Sequence, residues 1–255
     1  MWLERLSVAG NELNNVAGIK LSEGLIKSNT LKELDLSENM INEDGCVAIV
    51  YSLLYNSSLV VLNLRSNQIY RSEVIKEVAT TLQSVNSLEV LNMDDNSIDE
   101  YGAKALGTAL MHNKSLKELY ICSSSKRGIG GSSAIAASLS QNTTLEVLHM
   151  VCDAEGATTF AKALPNNNTL KKLSLWLFDF VGELLSEESA INIIKSLYNN
   201  DTLVELGLPD ELIKKDNVRK EFEEINNSKC GNCFISIKSL VSPSISTNTD
   251  DYFDY

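Results

Sequence analysis

The segment LNMDDNSIDEYG, residues 91–102, contains several side chains with the oxygen atoms that bind metals: Asp94, Asp95, Asn96, Asp99 and Glu100. Closely spaced carboxylate and amide oxygens are the ligands with which a loop surrounds calcium. Such a loop requires glycine at its sixth position and glutamate at its twelfth. Counted from Asp94, these positions hold Asp99 and Ala105, so the spacing excludes this type of calcium site.

Other segments contain residues used in metal, redox or phosphate chemistry. CGNC, from Cys230 to Cys233, has the spacing of half a zinc site or of a redox motif, but no second CxxC completes it. KRGIGGSS, residues 126–133, lacks the Gly-Lys-Ser/Thr end of a phosphate loop. His112 lies in a helix-end segment, and no serine, cysteine or carboxylate pattern of a catalytic set surrounds His149. We therefore predict a non-enzymatic protein without catalytic, cofactor-binding or metal-binding residues.

The composition limits the class of partner. The chain has 255 residues, of which 44% are hydrophobic, and Lys+Arg 22 against Asp+Glu 34 gives a net charge of -12. This charge argues against a nucleic acid or an anionic membrane, because phosphate binding requires clustered basic residues, and it is compatible with a basic protein partner. No apolar run spans a bilayer, and the N-terminus lacks the features of a signal peptide. With an odd number of cysteines, we expect reduced thiols in a cytoplasmic protein.

A leucine repeat organises the chain. The pattern L-x-x-L-x-[LIMV] recurs at intervals of 25 to 33 residues, mostly 28 or 29, and its first four copies end in Asn. The copies begin at Leu3, Leu31, Leu59, Leu88, Leu116, Leu145, Leu170 and Leu203. Self-similarity at this period, with L-x-x-L-x-L-x-x-N at its start, is the signature of leucine-rich repeats.

Each copy continues into a helical pattern, in which apolar and small residues recur at three- and four-residue steps, as from Ile98 through Gly102 and Leu106 to Leu110. Each unit is therefore a short strand, a turn and a helix. Alternation in the strand directs Leu34 and Leu36 inward. We predict an α/β leucine-rich-repeat solenoid, a curved partial horseshoe of about eight units, with a parallel sheet on its concave face and helices on its convex face.

The period of 28 to 29 residues, the G-x-x-A-[LI] helix and the N-x-[ST]-L join resemble the ribonuclease-inhibitor type of leucine-rich repeat, over roughly Leu3 to Ile237. That type also forms the C-terminal repeats of NLR innate-immunity receptors and the GTPase-activating protein of the Ran GTPase. The resemblance implies a protein-binding surface, as in the sensor or regulatory part of an NLR-like protein, which would carry an upstream nucleotide-binding domain. The alternative is a regulator of a small GTPase, although no motif places the Ran activator's functional residues on this chain.

The repeat assigns structural roles to many polar residues. Asn96 aligns with Asn11, Asn39 and Asn67 in a predicted ladder whose side chains satisfy backbone groups in the turn. Asp99 and Glu100 lie near a predicted helix start, where negative charge interacts favourably with the helix dipole. The glycosylation-like triplets, which begin at Asn113, Asn142 and Asn200, lie at the helix-to-strand join. There we attribute the asparagine to a left-handed backbone at the helix end.

The cysteines divide into three groups. Cys46 occupies a small apolar position of its helix, so we predict that it lies in the core. Cys122 and Cys152 fall at or beside outward positions on adjacent strands, where they form either an unpaired thiol surface or a redox-sensitive pair. The register places the two cysteines of CGNC, with Ile235, at the inward positions of a ninth, degraded strand.

The ends and one loop depart from the repeat. We assign residues 1–237 to the repeat domain, with a degraded capping unit from about residue 211, and residues 238–255 to a disordered acidic tail. The first strand lacks a polar N-terminal cap, so either its edge meets another surface or the chain is a fragment. The apolar loop of residues 176–188 either packs over its short neighbouring unit, burying Phe178 and Phe180, or projects as a binding lobe. Trp176 is expected to remain available.

The outward strand positions predict the binding surface. The central row runs Ser7, Asp35, Asn63, Asn92, Tyr120, His149, Ser174, Gly207 and Phe234. The next row runs Ala9, Ser37, Arg65, Asp94, Cys122, Val151, Trp176, Pro209 and Ser236. We predict partner-binding anchors at Tyr120, His149 and Trp176, since exposed aromatic residues dominate protein interfaces. The charged residues predicted to orient the partner are Asp35, Arg65, Asp94 and Asp95.

Overall fold

The computed structural model describes residues 2–122, 131–176, 185–229 and 235–240. Within these ranges a single sheet contains nine parallel strands in sequence order. The strands are β1 Arg5–Ser7, β2 Glu33–Asp35, β3 Val61–Asn63, β4 Val90–Asn92, β5 Glu118–Ile121, β6 Val147–Val151, β7 Lys172–Trp176, β8 Glu205–Pro209 and β9 Ser236–Leu240. This order confirms the predicted α/β leucine-rich-repeat solenoid.

Helices connect the strands and form the second layer. They are α1 Asn15–Lys27, α2 Glu43–Ser52, α3 Ser72–Leu82, α4 Glu100–His112, α5 Ser132–Ser138, α6 Ala154–Ala163, α7 Glu187–Ser196, α8 Asp210–Ile213 and α9 Asp216–Ser228. The inward leucines of the strands, such as Leu34, Leu62 and Leu91, pair in register across the sheet and are at most 1% exposed. They pack with the helices in one continuous core. We call the opposite face of the sheet, which points away from the helices, the sheet face.

The asparagine ladder is confirmed. Asn67 is completely buried, and its Oδ1 accepts a hydrogen bond from Ile41 N (3.1 Å) in the preceding unit. Its Nδ2 donates to Leu36 O (2.8 Å), also in the preceding unit, and to Leu64 O and Arg65 O in its own. The ladder side chains of Asn39, Asn67 and Asn96 therefore join neighbouring turns, as backbone hydrogen bonds join neighbouring strands.

The asparagines at the helix-to-strand joins form a second ladder, and our explanation of them was wrong. Asn113 has φ -65 and ψ 137, so its backbone is extended rather than left-handed. Its buried Nδ2 donates to Leu82 O (2.6 Å) of the preceding unit, while its Oδ1 accepts from Leu116 N (2.7 Å). Asn142 and Asn200 make the same contacts. The role of this asparagine is thus to hydrogen-bond the preceding unit through its side-chain amide.

The ninth strand lies later in the chain than the sequence register predicted. Helix α9 continues through Ser228, so residues 227–230 cannot form the join that precedes a strand. Leu206 pairs with Ile237 rather than with Cys233, and Gly207 pairs with Lys238 rather than with Phe234. Both cysteines of CGNC lie outside the described residues.

The first unit leaves apolar side chains exposed along the free edge of β1. Trp2 is 79% exposed and Leu3 57% exposed, and Leu6 is only partly buried where its equivalent Leu34 is fully buried. The residues between Trp176 and Leu185, which include Phe178 and Phe180, and those after Leu240 lie outside the described ranges. The packing of this loop and the disordered tail therefore stay predictions. Of the described helices, none is long and apolar enough to cross a membrane.

Candidate functional site

The observed strand register confirms the central row of the sheet face from Ser7 to Gly207. At the ninth strand, Lys238 replaces the predicted Phe234. In the next row, Val151 pairs with Trp176 as predicted, but Pro209 pairs with Leu240 instead of Ser236. The central row therefore has the predicted order of side chains over the first eight strands.

The first half of the central row is polar because its side chains fix the turns that follow the strands. Asp35, Asn63 and Asn92 each use Oδ1 to accept a hydrogen bond from the backbone N–H two residues later, at 3.0, 3.1 and 2.8 Å. Asx turns of this kind are a common use of Asp and Asn. Asp35 also accepts a hydrogen bond from the Ser7 hydroxyl (2.9 Å) on the neighbouring strand.

Charged groups surround Arg65 beside this row. Its Nε lies 2.9 Å from Asp95 Oδ2, and both side chains are largely buried. Burial lowers the pKa of Arg65, but the hydrogen bond and charge of Asp95, with the charges of Asp94 and Glu38, outweigh this effect and raise it. Asp94 is 8% exposed, and its Oδ1 accepts a hydrogen bond from Cys122 N. The structure thus brings together Arg65, Asp94 and Asp95, as predicted for adjacent outward positions.

Two carboxylates beside this row occupy a left-handed backbone. Glu38 has φ 55 and Asp95 has φ 57, at the position where the first unit has Gly10 with φ 66. A non-glycine residue with this conformation costs on the order of 1 kcal/mol. Glycine would avoid the cost, so Glu38 and Asp95 contribute carboxylates there at the expense of stability. Glu38 is exposed, and the predicted set of site residues did not include it.

The second half of the sheet face is apolar and mostly covered. The Trp176 indole donates from Nε1 to His149 Nε2 (2.8 Å), with the rings perpendicular at 84°. Because the indole nitrogen can only donate, His149 Nε2 is the unprotonated acceptor. Trp176 and His149 are 8% and 6% exposed, so the expectation that Trp176 remains available was wrong. Trp176 packs against Cys122, Val151 and Leu240 instead.

Tyr120 is the least buried of the predicted anchors. It is half-buried, its ring meets the edge of His149 at 5.8 Å, and its hydroxyl donates to Glu118 Oε2 (2.7 Å). The carboxylate of Asp94 lies 3.9 Å from His149 Nδ1. Tyr120 therefore lies where the polar half meets the apolar half, with its ring against His149, which in turn contacts Trp176.

The described cysteines are buried free thiols. Burial raises the pKa of Cys46 to about 12, and this residue lies in the core, as predicted. Cys122 and Cys152 are 9% and 2% exposed, so the predicted thiol surface was wrong. Burial also raises the pKa of both thiols. A buried neutral thiol behaves as a small apolar side chain.

The carboxylates around residue 94 have structural partners. Asp99 caps the N-terminus of α4, where its Oδ1 accepts a hydrogen bond from Gly102 N (2.9 Å). Asp95 pairs with Arg65, and the amide of Asn96 belongs to the ladder. Across the ranges that the structure describes, no group of three or more His, Cys, Asp or Glu residues has the arrangement of a metal site.

Comparison with known proteins supports the repeat assignment. Residues 27–50 and 55–69 match the family model described as Leucine Rich repeat. The chain is 24% identical over 240 residues, 92% of its length, to NACHT, LRR and PYD domains-containing protein 14 of Mus musculus. It is 29% identical over 118 residues to Ribonuclease inhibitor of Sus scrofa and 29% identical over 105 residues to RAN GTPase-activating protein 2 of Arabidopsis thaliana.

These matches cover 92%, 46% and 41% of this chain, respectively. They cover only 24%, 26% and 19% of the length of the three relatives. The likeness therefore concerns the repeats.

Proposed function

We propose that this chain, a ribonuclease-inhibitor-type leucine-rich-repeat protein, recognises a protein partner with its sheet face and the adjoining turns. Repeat domains of this kind act as protein-interaction modules. The observation that carries the proposal is the sheet face on β1 to β5, where the confirmed register places Asp35, Asn63, Asn92 and Tyr120 in one row beside the exposed Glu38. We place this non-enzymatic function in the cytoplasm, in keeping with the described cysteines, which are free thiols.

Within this surface, we propose that Tyr120 is the aromatic anchor and that His149 and Trp176 support it from below. A half-buried tyrosine held by neighbouring rings contributes contact area with little loss of side-chain freedom, which is why such residues dominate interfaces. Asp94 and Asp95 follow the neighbouring strand β4, Arg65 follows β3, and Asp35 lies on β2. We propose that their charges orient the partner, because complementary charge affects association rate and specificity more than affinity.

Affinity capture from the source cell with two matched double variants tests this function. Tyr120→Ala/Glu38→Lys changes the sheet face, while Tyr101→Ala/Glu77→Lys makes the same two changes on exposed helical positions. Both variants must first show the same urea unfolding midpoint as the wild-type protein, so that a loss of binding does not reflect a loss of folding. We expect the sheet-face variant to lose a captured protein that the helix-face variant retains. Retention by both variants, or loss only from the helix-face variant, would refute the proposal.

The similarity to RAN GTPase-activating protein 2 supports a second candidate, a regulator of a small GTPase. Under this alternative, adding the protein to a GTP-loaded small GTPase would accelerate phosphate release, and Tyr120→Ala/Glu38→Lys would abolish the acceleration. The similarity to NACHT, LRR and PYD domains-containing protein 14 covers far more of the chain and supports a sensor or regulatory role in an NLR-like protein. We rank that role first, because it requires only a binding surface.

A further inference from the structure

Two buried amide side chains on the sheet face have unused hydrogen-bond donors. Asn63 and Asn92 pair across β3 and β4 and are 4% and 2% exposed. Each uses Oδ1 for its turn, and among the described residues neither Nδ2 donates to a protein acceptor. Neither Nδ2 is among the fully buried atoms without a partner, so both open to the surface of the sheet face, where a primary amide offers two N–H donors.

The other buried asparagines in the described ranges behave differently. Each of them donates from Nδ2 to a protein oxygen, in one of the two ladders: Asn39, Asn56, Asn67, Asn96, Asn113, Asn142, Asn167 and Asn200. The amide groups of both asparagine ladders therefore donate hydrogen bonds to protein oxygens. Asn63 and Asn92 are the exceptions among the described residues, and both lie on the sheet face.

A depression in the sheet face leads to the first of these amides. Its volume is about 130 Å³, several times the space that one water molecule requires. Strands β1 to β3 form it, and its polar lining includes Arg5, Ser7, Glu33, Asp35 and Asn63. The unused donor of Asn63 therefore lies in a recess that a group from another molecule can enter.

The charges around the recess favour a cation. Arg5 pairs with Glu33 at 2.6 Å and Arg65 pairs with Asp95 at 2.9 Å. In the described structure, the carboxylates of Asp35, Glu38 and Asp94 are not paired with Lys or Arg, and Asp35 and Asp94 accept hydrogen bonds from neutral hydroxyl and backbone donors. This part of the sheet face consequently has an excess of negative charge beside amide donors that open to the surface.

We infer that the sheet face between β1 and β5 binds an extended polypeptide segment that contains Lys or Arg. Asn63 and Asn92 donate to its backbone carbonyl oxygens, and Asp35, Glu38 and Asp94 attract its basic side chains. This inference rests on the protein-recognition function proposed above and specifies the partner's chemistry. A segment in extended conformation is required because the carbonyl groups of a helix are already hydrogen-bonded within the helix.

The dimensions are consistent with a short segment. Adjacent strands lie about 4.8 Å apart, so β1 to β5 span about 19 Å. An extended chain advances about 3.4 Å per residue, so about six residues cross this part of the face. Two other classes of ligand fit less well. A polyanion is repelled by the carboxylates, and a simple polyamine has no carbonyl group for the amides to bind.

The variant Asn63→Asp/Asn92→Asp tests the inference by whether it strengthens or weakens the binding of a basic peptide. Aspartate keeps the oxygen that fixes the turn, as Asp35 does at the same row position, but it removes the N–H donors and adds negative charge. If charge alone attracts the ligand, the variant binds a basic peptide more tightly. If the amides bind carbonyl oxygens, it binds more weakly. Asn86→Asp/Asn217→Asp adds the same charge at exposed positions and is the matched control.

The probe is an acetylated and amidated peptide of alternating Ala and Lys, about six residues long, with spermine as a cation without carbonyl groups. Titrations of ¹⁵N-labelled full-length protein are followed by NMR through the side-chain NH₂ signals, which the variants assign. We expect the peptide, but not spermine, to shift the signals of Asn63 and Asn92 downfield. We expect Asn63→Asp/Asn92→Asp to bind the peptide about tenfold more weakly than the wild-type protein does. We expect it to bind spermine at least as tightly.

Several outcomes would overturn the inference. These are unchanged or tighter peptide binding by Asn63→Asp/Asn92→Asp, NH₂ signals that do not move at saturating peptide, or no peptide binding up to about millimolar concentration. The NMR shifts in the wild-type protein do not depend on the stability of any variant. If these tests fail while Tyr120→Ala/Glu38→Lys still loses a captured protein, the proposed recognition function stands and only the carbonyl-binding role is wrong.

Discussion

Replacing Asn67 by alanine measures how much the buried asparagine ladder stabilises the fold. Removal of the side chain deprives Ile41 N of its acceptor, in a residue that is fully buried. The three carbonyl groups that Asn67 contacts are affected less, because each retains another donor. Leu36 O keeps Asn39 Nδ2 at 3.0 Å, Leu64 O keeps Asn96 Nδ2 at 2.8 Å, and Arg65 O keeps Glu38 N at 2.9 Å.

The magnitude follows from this inventory. The orphaned N–H of Ile41 costs about 1–3 kcal/mol, and the loss of the two amide donors of Asn67 costs about 0.5–1.5 kcal/mol for each. We therefore expect Asn67→Ala to lower the free energy of unfolding by about 4 kcal/mol, within a range of about 2–6 kcal/mol. With a typical urea dependence of about 1–3 kcal/mol per molar, the unfolding midpoint falls by more than about 1 M.

The assay is equilibrium unfolding in urea, followed by far-ultraviolet circular dichroism and tryptophan fluorescence. Asn11→Ala is the matched control, because Asn11 occupies the same ladder position in the first unit but is exposed and donates only to Ala9 O. We expect this control to lose less than about 1 kcal/mol. Equal losses for the two variants would refute the reasoning that the orphaned Ile41 N–H and the buried amide bonds stabilise the turn.

Gly24→Ala is expected to stabilise the protein by about 0.5–1 kcal/mol, because an added Cβ meets nothing within 4 Å. Gly107→Ala is expected to destabilise it, because the Cβ would lie 2.6 Å from a backbone oxygen of α5, and thermal unfolding compares the two. Trp176→Phe should lower the unfolding free energy by about 1–3 kcal/mol in urea titrations, since it leaves the buried ring nitrogen of His149 without its donor. With all other cysteines changed to serine, the Cys46 thiol should resist Ellman's reagent until urea unfolds the protein, and stability should fall as pH rises above about 9, because the folded-state pKa of Cys46 exceeds the unfolded one.

The sequence was sufficient to predict the strand order and most of the sheet-face register. The leucine spacing fixes which residues point inward, so the pairing of Leu34 with Leu62 and of Leu62 with Leu91 follows from alignment of the repeats alone. The role of Asn96 in the ladder could be predicted for the same reason. The ninth strand could not, because its unit has lost the leucine pattern and helix α9 extends to Ser228 before the strand begins.

The candidate site was only partly predictable. Its row positions were correct, but the burial of Trp176 was not foreseen, since the row pattern does not reveal that Cys122, Val151 and Leu240 pack around the indole. The unused amides of Asn63 and Asn92 were also missed. Their signal was present in the sequence, as asparagines in the central row outside both ladders, but only the hydrogen bonds show which amides lack an acceptor.

The sequence by itself determined the repeat, the direction of each strand side chain and the excess of acidic residues, because these depend on local spacing and composition. The tertiary structure decided which outward side chains a partner can reach. A residue of the sheet face is covered or left open by strands that lie 25 to 33 residues away in the chain. In the described part of the chain, their side chains bury Trp176 and His149, leave Tyr120 half-exposed and place no hydrogen-bond acceptor beside the Asn63 amide. No local sequence pattern contains those contacts.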